Sequence, residues 1–98
     1  MADELTQWSV AAETKELVGP ITVTADGTPT TSFEVTLTGP GERPTEWVAA
    51  AVQDGGRYIL IGTGTDFDLV AGRKYTVWVR FTDSPEIPVV HIGTVRAY

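Results

Sequence analysis

The stretch Leu69-Val70-Ala71-Gly72-Arg73-Lys74-Tyr75-Thr76-Val77-Trp78-Val79-Arg80 constrains this chain more than any other. It reads as a tight bend followed by a strand. Gly72 permits the bend, because a residue without a Cβ enters positive φ at little steric cost. Tyr75 follows where it can turn inward and return its hydroxyl to the backbone of the bend. Alternation then carries Tyr75, Val77 and Val79 to one face and Thr76, Trp78 and Arg80 to the other. An aliphatic sheet face of this kind must be covered by a second layer.

The rest of the chain supplies the material for such a layer. It holds fifteen Thr and twelve Val, and β-branched side chains suit a pleated sheet better than a helix. Val18 to Ala25 reads as the first strand, with Ile21 and Val23 alternating with Thr22 and Thr24. Asp26-Gly27-Thr28-Pro29 is a turn signal. Ser32 to Thr38 is a second strand, with Phe33, Val35 and Leu37 on a buried face and Glu34, Thr36 and Thr38 on a wet one. Gly39-Pro40-Gly41-Glu42-Arg43-Pro44 excludes regular structure. Trp47 to Val52 follows as a strand, with Trp47 expected in the core. Asp54-Gly55-Gly56 reads as a hairpin turn. Arg57 to Ile61 pairs back across it, and its run Tyr58-Ile59-Leu60-Ile61 predicts burial on both faces. Gly62-Thr63-Gly64-Thr65 is a loop or bulge, and Phe67 to Val70 a short strand into the bend. Pro85 and Pro88 bar Asp83 to Pro88 from a central strand, so a loop leads to a last strand over Val89 to Ala97. The expectation is an all-β antiparallel sandwich of about seven strands over residues 18–98. Residues 1–17 form an N-terminal arm, a short helix or an extended segment, which is either a frayed terminus or an arm that Trp8 anchors on this domain or on a neighbour.

Charge and cysteine content exclude several function classes. Thirteen acids against seven bases give a formal charge of −6. Phosphate affinity comes mainly from clustered Lys and Arg, and membrane surfaces are commonly anionic, so neither nucleic acid nor membrane is an expected partner. With no cysteine, disulfides and thiolate metal sites are excluded. Small secreted eukaryotic domains usually need such staples, so folding in a bacterial cytoplasm, as a bacterial or viral protein, is the expectation. The first residues lack the basic segment and apolar run of a secretory leader.

No constellation of reactive side chains stands out. His91 is the only histidine; within Val89-Val90-His91-Ile92 it reads as a packed or surface residue. Asp66 and Asp68 would stand on one face of a short strand about 7 Å apart, but a Ca²⁺ site needs six to eight oxygens. Gly62-Thr63-Gly64-Thr65 has no following Lys or helix to make a phosphate loop. The expected protein is therefore not an enzyme and uses no cofactor or metal. Trp78 is the most informative aromatic, because it faces outward from the strand. Arg80 or Arg96 stacked on it as a cation, the N-terminal arm, or another subunit would shield it.

Two resemblances give this reading a direction. Leu69-x-x-Gly72-x-x-Tyr75-x-Val77-x-Val79 resembles the tyrosine-corner segment of fibronectin type III and other immunoglobulin-like domains, which speaks to fold and not to function. The longer segment Gly72 to Val89, with its Tyr-x-Val-Trp-Val-Arg strand followed by Asp-Ser-Pro-Glu-Ile-Pro-Val, is similar to the C-terminal half of small virion proteins of actinobacterial tailed phages. Those also carry a final strand after a Gly, here Gly93. The likeness extends loosely to the Pro-Ile-Thr-Val-Thr-Ala strand at 20–25 and to the Trp47 strand. It implies a non-enzymatic structural component of the particle, located in the virion. The function expected from it is capsid decoration, with the major capsid protein and further copies of this chain as partners. Trp8, Trp78 and Arg80 are the expected contact residues. The alternatives are a head–tail or tail accessory protein, and a carbohydrate- or cell-surface-binding module, which would need outward aromatics to stack on sugars.

Overall fold

The computed structural model describes residues 6–25, 28–30, 32–82 and 86–98. It is all-β, and the described residues form ten strand segments. In order these are β1 (Thr6–Val10), β2 (Lys15–Val18), β3 (Val23–Ala25), β4 (Thr28–Thr30), β5 (Glu34–Thr38), β6 (Val48–Ala49), β7 (Ala51–Gln53), β8 (Gly56–Gly62), β9 (Lys74–Arg80) and β10 (Val89–Ala97). A five-stranded sheet has the order β1-β10-β9-β5-β6, a three-stranded sheet the order β2-β8-β7, and β3 pairs with β4. Parity explains the core. Val35 from β5, Val77 and Val79 from β9, and Val95 from β10 are buried on one side, and Ile59 and Ile61 of β8 with Val18 of β2 join the same cluster from the other. The two main sheets thus share one aliphatic filling, completed by Val10, Ile21, Phe33, Tyr75 and Ala97.

The bend before β9 forms as its residues dictate. Gly72 sits at φ +88°, and the Tyr75 hydroxyl accepts a 2.8 Å hydrogen bond from the Val70 amide. The bend is also tied to the last strand, through Gly72 N–H to Ala97 O and Ala97 N–H to Arg73 O, both 2.9 Å. β9 and β10 form a hairpin closed by Phe81 N–H to Pro88 O at 3.3 Å. β7 and β8 form the expected hairpin across Asp54 and Gly55, both at positive φ, which is the backbone signature of a type I′ turn.

Several expectations are corrected. The five-stranded sheet is mixed, because β1 runs parallel to β10 from Thr6 opposite Gly93 to Val10 opposite Ala97. The described part of the segment read as an arm, from Thr6 on, is therefore part of both layers: β1 lies in the larger sheet and β2 pairs antiparallel with β8. The Trp47–Val52 strand is split. β6 pairs with β5, β7 pairs with β8, and Ala50 between them donates its N–H to Phe33 O. The alanine run is a corner where the chain passes from one sheet to the other, the bend expected where a strand changes layers. Phe67 to Val70 is not a strand: Phe67 ends the turn closed by Gly62 N–H to Phe67 O at 2.9 Å, and residues 68–70 run on without regular structure. In β8 only Ile59 and Ile61 are buried, and Leu60 faces out. In β5 the outer face is drier than expected, with Thr36 and Thr38 buried. The Asp26-Gly27 turn and Asp83-Ser84-Pro85 lie outside the described residues.

Gly93 explains how β1 can close on the sheet. A Cβ there would fall 2.6 Å from the Thr6 carbonyl oxygen and 2.7 Å from the Trp8 ring. Gly93→Ala is expected to push β1 outward and to destabilise the fold by about 1–3 kcal/mol, as overpacking does. Tyr75→Phe removes one hydrogen bond and is expected to cost about 1 kcal/mol, lowering Tm by roughly 4–8 °C. Thermal unfolding followed by circular dichroism checks both, and a Gly93→Ala protein as stable as the parent would show that the β1 contact is not formed.

Candidate functional site

The face of the five-stranded sheet turned away from the core carries the chemistry. With Tyr75, Val77 and Val79 committed inward, the pleat sends Thr76, Trp78 and Arg80 out. β5 contributes Glu34 opposite Arg80, Thr36 opposite Trp78 and Thr38 opposite Thr76. β10 contributes His91 opposite Trp78 and Val89 opposite Arg80, before a register shift between His91 and Gly93. Trp78 thus stands in the middle of the face, with hydroxyl side chains on one flank and an imidazole on the other.

Each large side chain here is held. The Trp78 indole donates a 2.9 Å hydrogen bond from Nε1 to Thr38 Oγ1, and its ring lies 5.4 Å from the His91 ring at an interplanar angle of 38°. His91 Nε2 is 3.0 Å from the Gly93 carbonyl oxygen. Arg80 Nε donates to Glu34 Oε1 at 2.8 Å, and its guanidinium carbon sits 4.8 Å from the centre of the Trp47 ring. The Arg80 and Glu34 side chains are 36% and 43% exposed. Solvent screening therefore leaves the ion pair about 0–1 kcal/mol, and the cation–π contact adds about 0.5–1 kcal/mol. Their role is orientation more than stability.

Beside this cluster lies a groove of about 600 Å³ lined by Glu42, Arg43, Pro44, Trp47, Trp78 and Val89. Four of its six walls are apolar or aromatic, and its floor is a paired sheet. The loop that carries Glu42 is tied down, since Glu42 Oε1 accepts from Gly39 N–H at 2.7 Å.

The expected contact residues separate. Trp78 and Arg80 share this face, but Trp8 does not: it is partly buried, packs against the core and meets Gly93 at the β1 edge. Trp47, expected in the core, is instead half-buried on the outer side. The indole that receives a cation is Trp47 and not Trp78. The Trp47–Arg80 pairing joins residues far apart in the chain through β5, and no local spacing announces it. Asp66 and Asp68 are exposed in a loop, and no group of three or more potential metal ligands occurs among the described residues. Comparison with protein-family models, with curated proteins and with solved structures finds no match to this chain.

Arg80→Ala is expected to cost no more than about 2 kcal/mol, lowering Tm by at most about 8–16 °C, and to change Trp fluorescence as Trp47 loses its cation. Arg80→Lys keeps the charge without the planar fork and should give an intermediate spectrum. Emission spectra of the two variants against the parent check this, and identical spectra for all three would mean that the guanidinium does not rest on Trp47.

Proposed function

We propose that this chain is a non-enzymatic structural protein of a tailed-phage particle, an immunoglobulin-like sandwich that decorates the capsid by docking on its protein lattice. The virion assignment rests on the resemblance of Gly72 to Val89 to small virion proteins of actinobacterial phages. The observation that carries the docking mode is the groove on the outer sheet face, where Trp47, Trp78, Pro44 and Val89 form an apolar wall beside Arg43. Trp and Arg are the residue types most often found at the energetic centres of protein interfaces. Here the Thr38 hydrogen bond holds Trp78, and Arg80, fixed by Glu34, rests on Trp47, so the two indoles lose little side-chain freedom on contact. On a lattice, many copies retained together turn modest single contacts into firm attachment. The partner is the major capsid protein or a neighbouring copy.

A second reading is favoured by one feature. Trp47 and Trp78 both line the groove, which provides two indoles where the sequence offered only one outward Trp. A carbohydrate- or cell-surface-binding module would use such a pair to stack on sugar rings.

The test is proteomic and structural. Particles purified on a density gradient are expected to contain the chain at a fixed ratio to the capsid protein. Trp78→Ala, folded by circular dichroism, should fall on the particle at least about 30-fold in single-site affinity, the equivalent of a 2 kcal/mol hot spot. Absence of the chain from purified particles sinks the virion reading. Saturable Trp fluorescence changes with host-envelope glycans, lost in Trp47→Ala, would favour the carbohydrate module instead.

A further inference from the structure

A second patch on the outer face lies at the opposite end of β9 from Arg80. Lys74 and Arg96 are direct cross-strand partners, and their side chains emerge on the same side as Trp78. Both residues are exposed. Like charges placed directly opposite each other destabilise a sheet. This chain has thirteen acids and only seven bases, so neutralising partners are abundant in its composition. Arg80 has taken one in Glu34. Among the described residues, Lys74 and Arg96 have none.

The neighbours of the pair sharpen this. Gln7 stands opposite Thr94 and Ser9 opposite Arg96 in the parallel β1–β10 ladder. Gln7, Trp8, Ser9, Lys74, Thr94 and Arg96 line a depression of about 120 Å³. Every polar side chain in that set can donate a hydrogen bond, and none is a carboxylate. The guanidinium fork matches a carboxylate in two parallel bonds, and the ammonium adds a point charge. The depression also borders β1, the edge strand of its sheet. An edge offers unpaired backbone groups to an added extended segment.

We infer that the Lys74–Arg96 corner binds carboxylates of an extended acidic segment in a partner protein, which runs along β1 and neutralises the two cations. Nucleic acid is a poorer fit, because two cations on a chain of charge −6 cannot hold a dense polyanion that ordinarily takes six to ten phosphate contacts. The corner is distinct from the aromatic groove. Lys74 and Trp78 are four residues apart on β9, about 13 Å along the strand, so this contact stands or falls apart from the proposed function.

The experiment is an amide-resonance titration of the isotopically labelled full chain with acetylated hexaglutamate, and separately with hexaglutamine and with inorganic phosphate. Hexaglutamate is expected to give saturable shifts at Gln7, Ser9, Thr94 and Arg96 that weaken as salt rises, with hexaglutamine giving none. The double variant Lys74→Gln, Arg96→Gln should bind at least about tenfold more weakly, with a Tm equal to or above the parent because the like-charge pair is gone. Thr94→Asp, which places a carboxylate inside the depression, should lose binding and also keep or raise Tm. Unchanged binding in both variants, or shifts elsewhere on the molecule, would overturn the inference. Equal shifts at these residues with phosphate alone would overturn the protein-partner assignment in favour of a small-anion site.

Discussion

The structure depends on the phase of one pleat. β9 has Tyr75, Val77 and Val79 locked into the aliphatic filling between the two sheets, where all three are buried. Successive side chains on a strand point to opposite faces, so a slip of one residue would exchange the whole set. Burying Trp78 and Arg80 in place of Val77 and Val79 would put an unpaired guanidinium into an apolar interior, at a penalty of several kcal/mol. The outer face therefore follows from the inner one. Once the valines are in, Trp78 and Arg80 have nowhere to go but out.

The neighbours of β9 then decide what those outward residues become. β5 on one side supplies Glu34 and Thr38 to hold Arg80 and Trp78, and β10 on the other supplies the His91 ring. Trp47 arrives from the chain just before β6 and lies under the Arg80 guanidinium. The result is a face whose large side chains are preorganised by one another and by the sheet beneath them. At the far end of the same strand the pairing goes the other way. Lys74 meets Arg96, and no described acid answers them. One strand thus presents an aromatic end held by its neighbours and a cationic end that no acid among the described residues neutralises.

Much of the fold was legible because its determinants are local. Gly72 and Tyr75 are three residues apart, and their bend and hydroxyl contact require nothing from elsewhere. The Asp54-Gly55 hairpin is equally local. What sequence reading missed depends on partners distant in the chain. The parallel pairing of β1 with β10 joins Thr6 to Gly93, and nothing in Thr6 to Val10 specifies parallel over antiparallel. The resemblance set Gly93 ahead of the final strand, whereas it lies within β10, and its reason, the approach of Trp8 and the Thr6 carbonyl, is tertiary. The alanine run after Trp47 is locally ambiguous, and only the competition between β5 and β8 for its two halves makes it a corner. Of the candidate site, Trp78 and Arg80 could be placed by parity alone. Trp47 could not, because an aromatic after a Gly/Pro loop has the same local signature whether it turns in or out.

The most direct measurement is a nuclear Overhauser map of the side chains of β9 in the intact chain. Contacts are expected from the Val77 and Val79 methyls into the cluster that holds Ile59 and Ile61, and from the Trp78 indole N–H to Thr38. Trp78 indole contacts to the Ile59 and Ile61 methyls, with Val77 and Val79 facing water, would reverse the pleat and contradict the account.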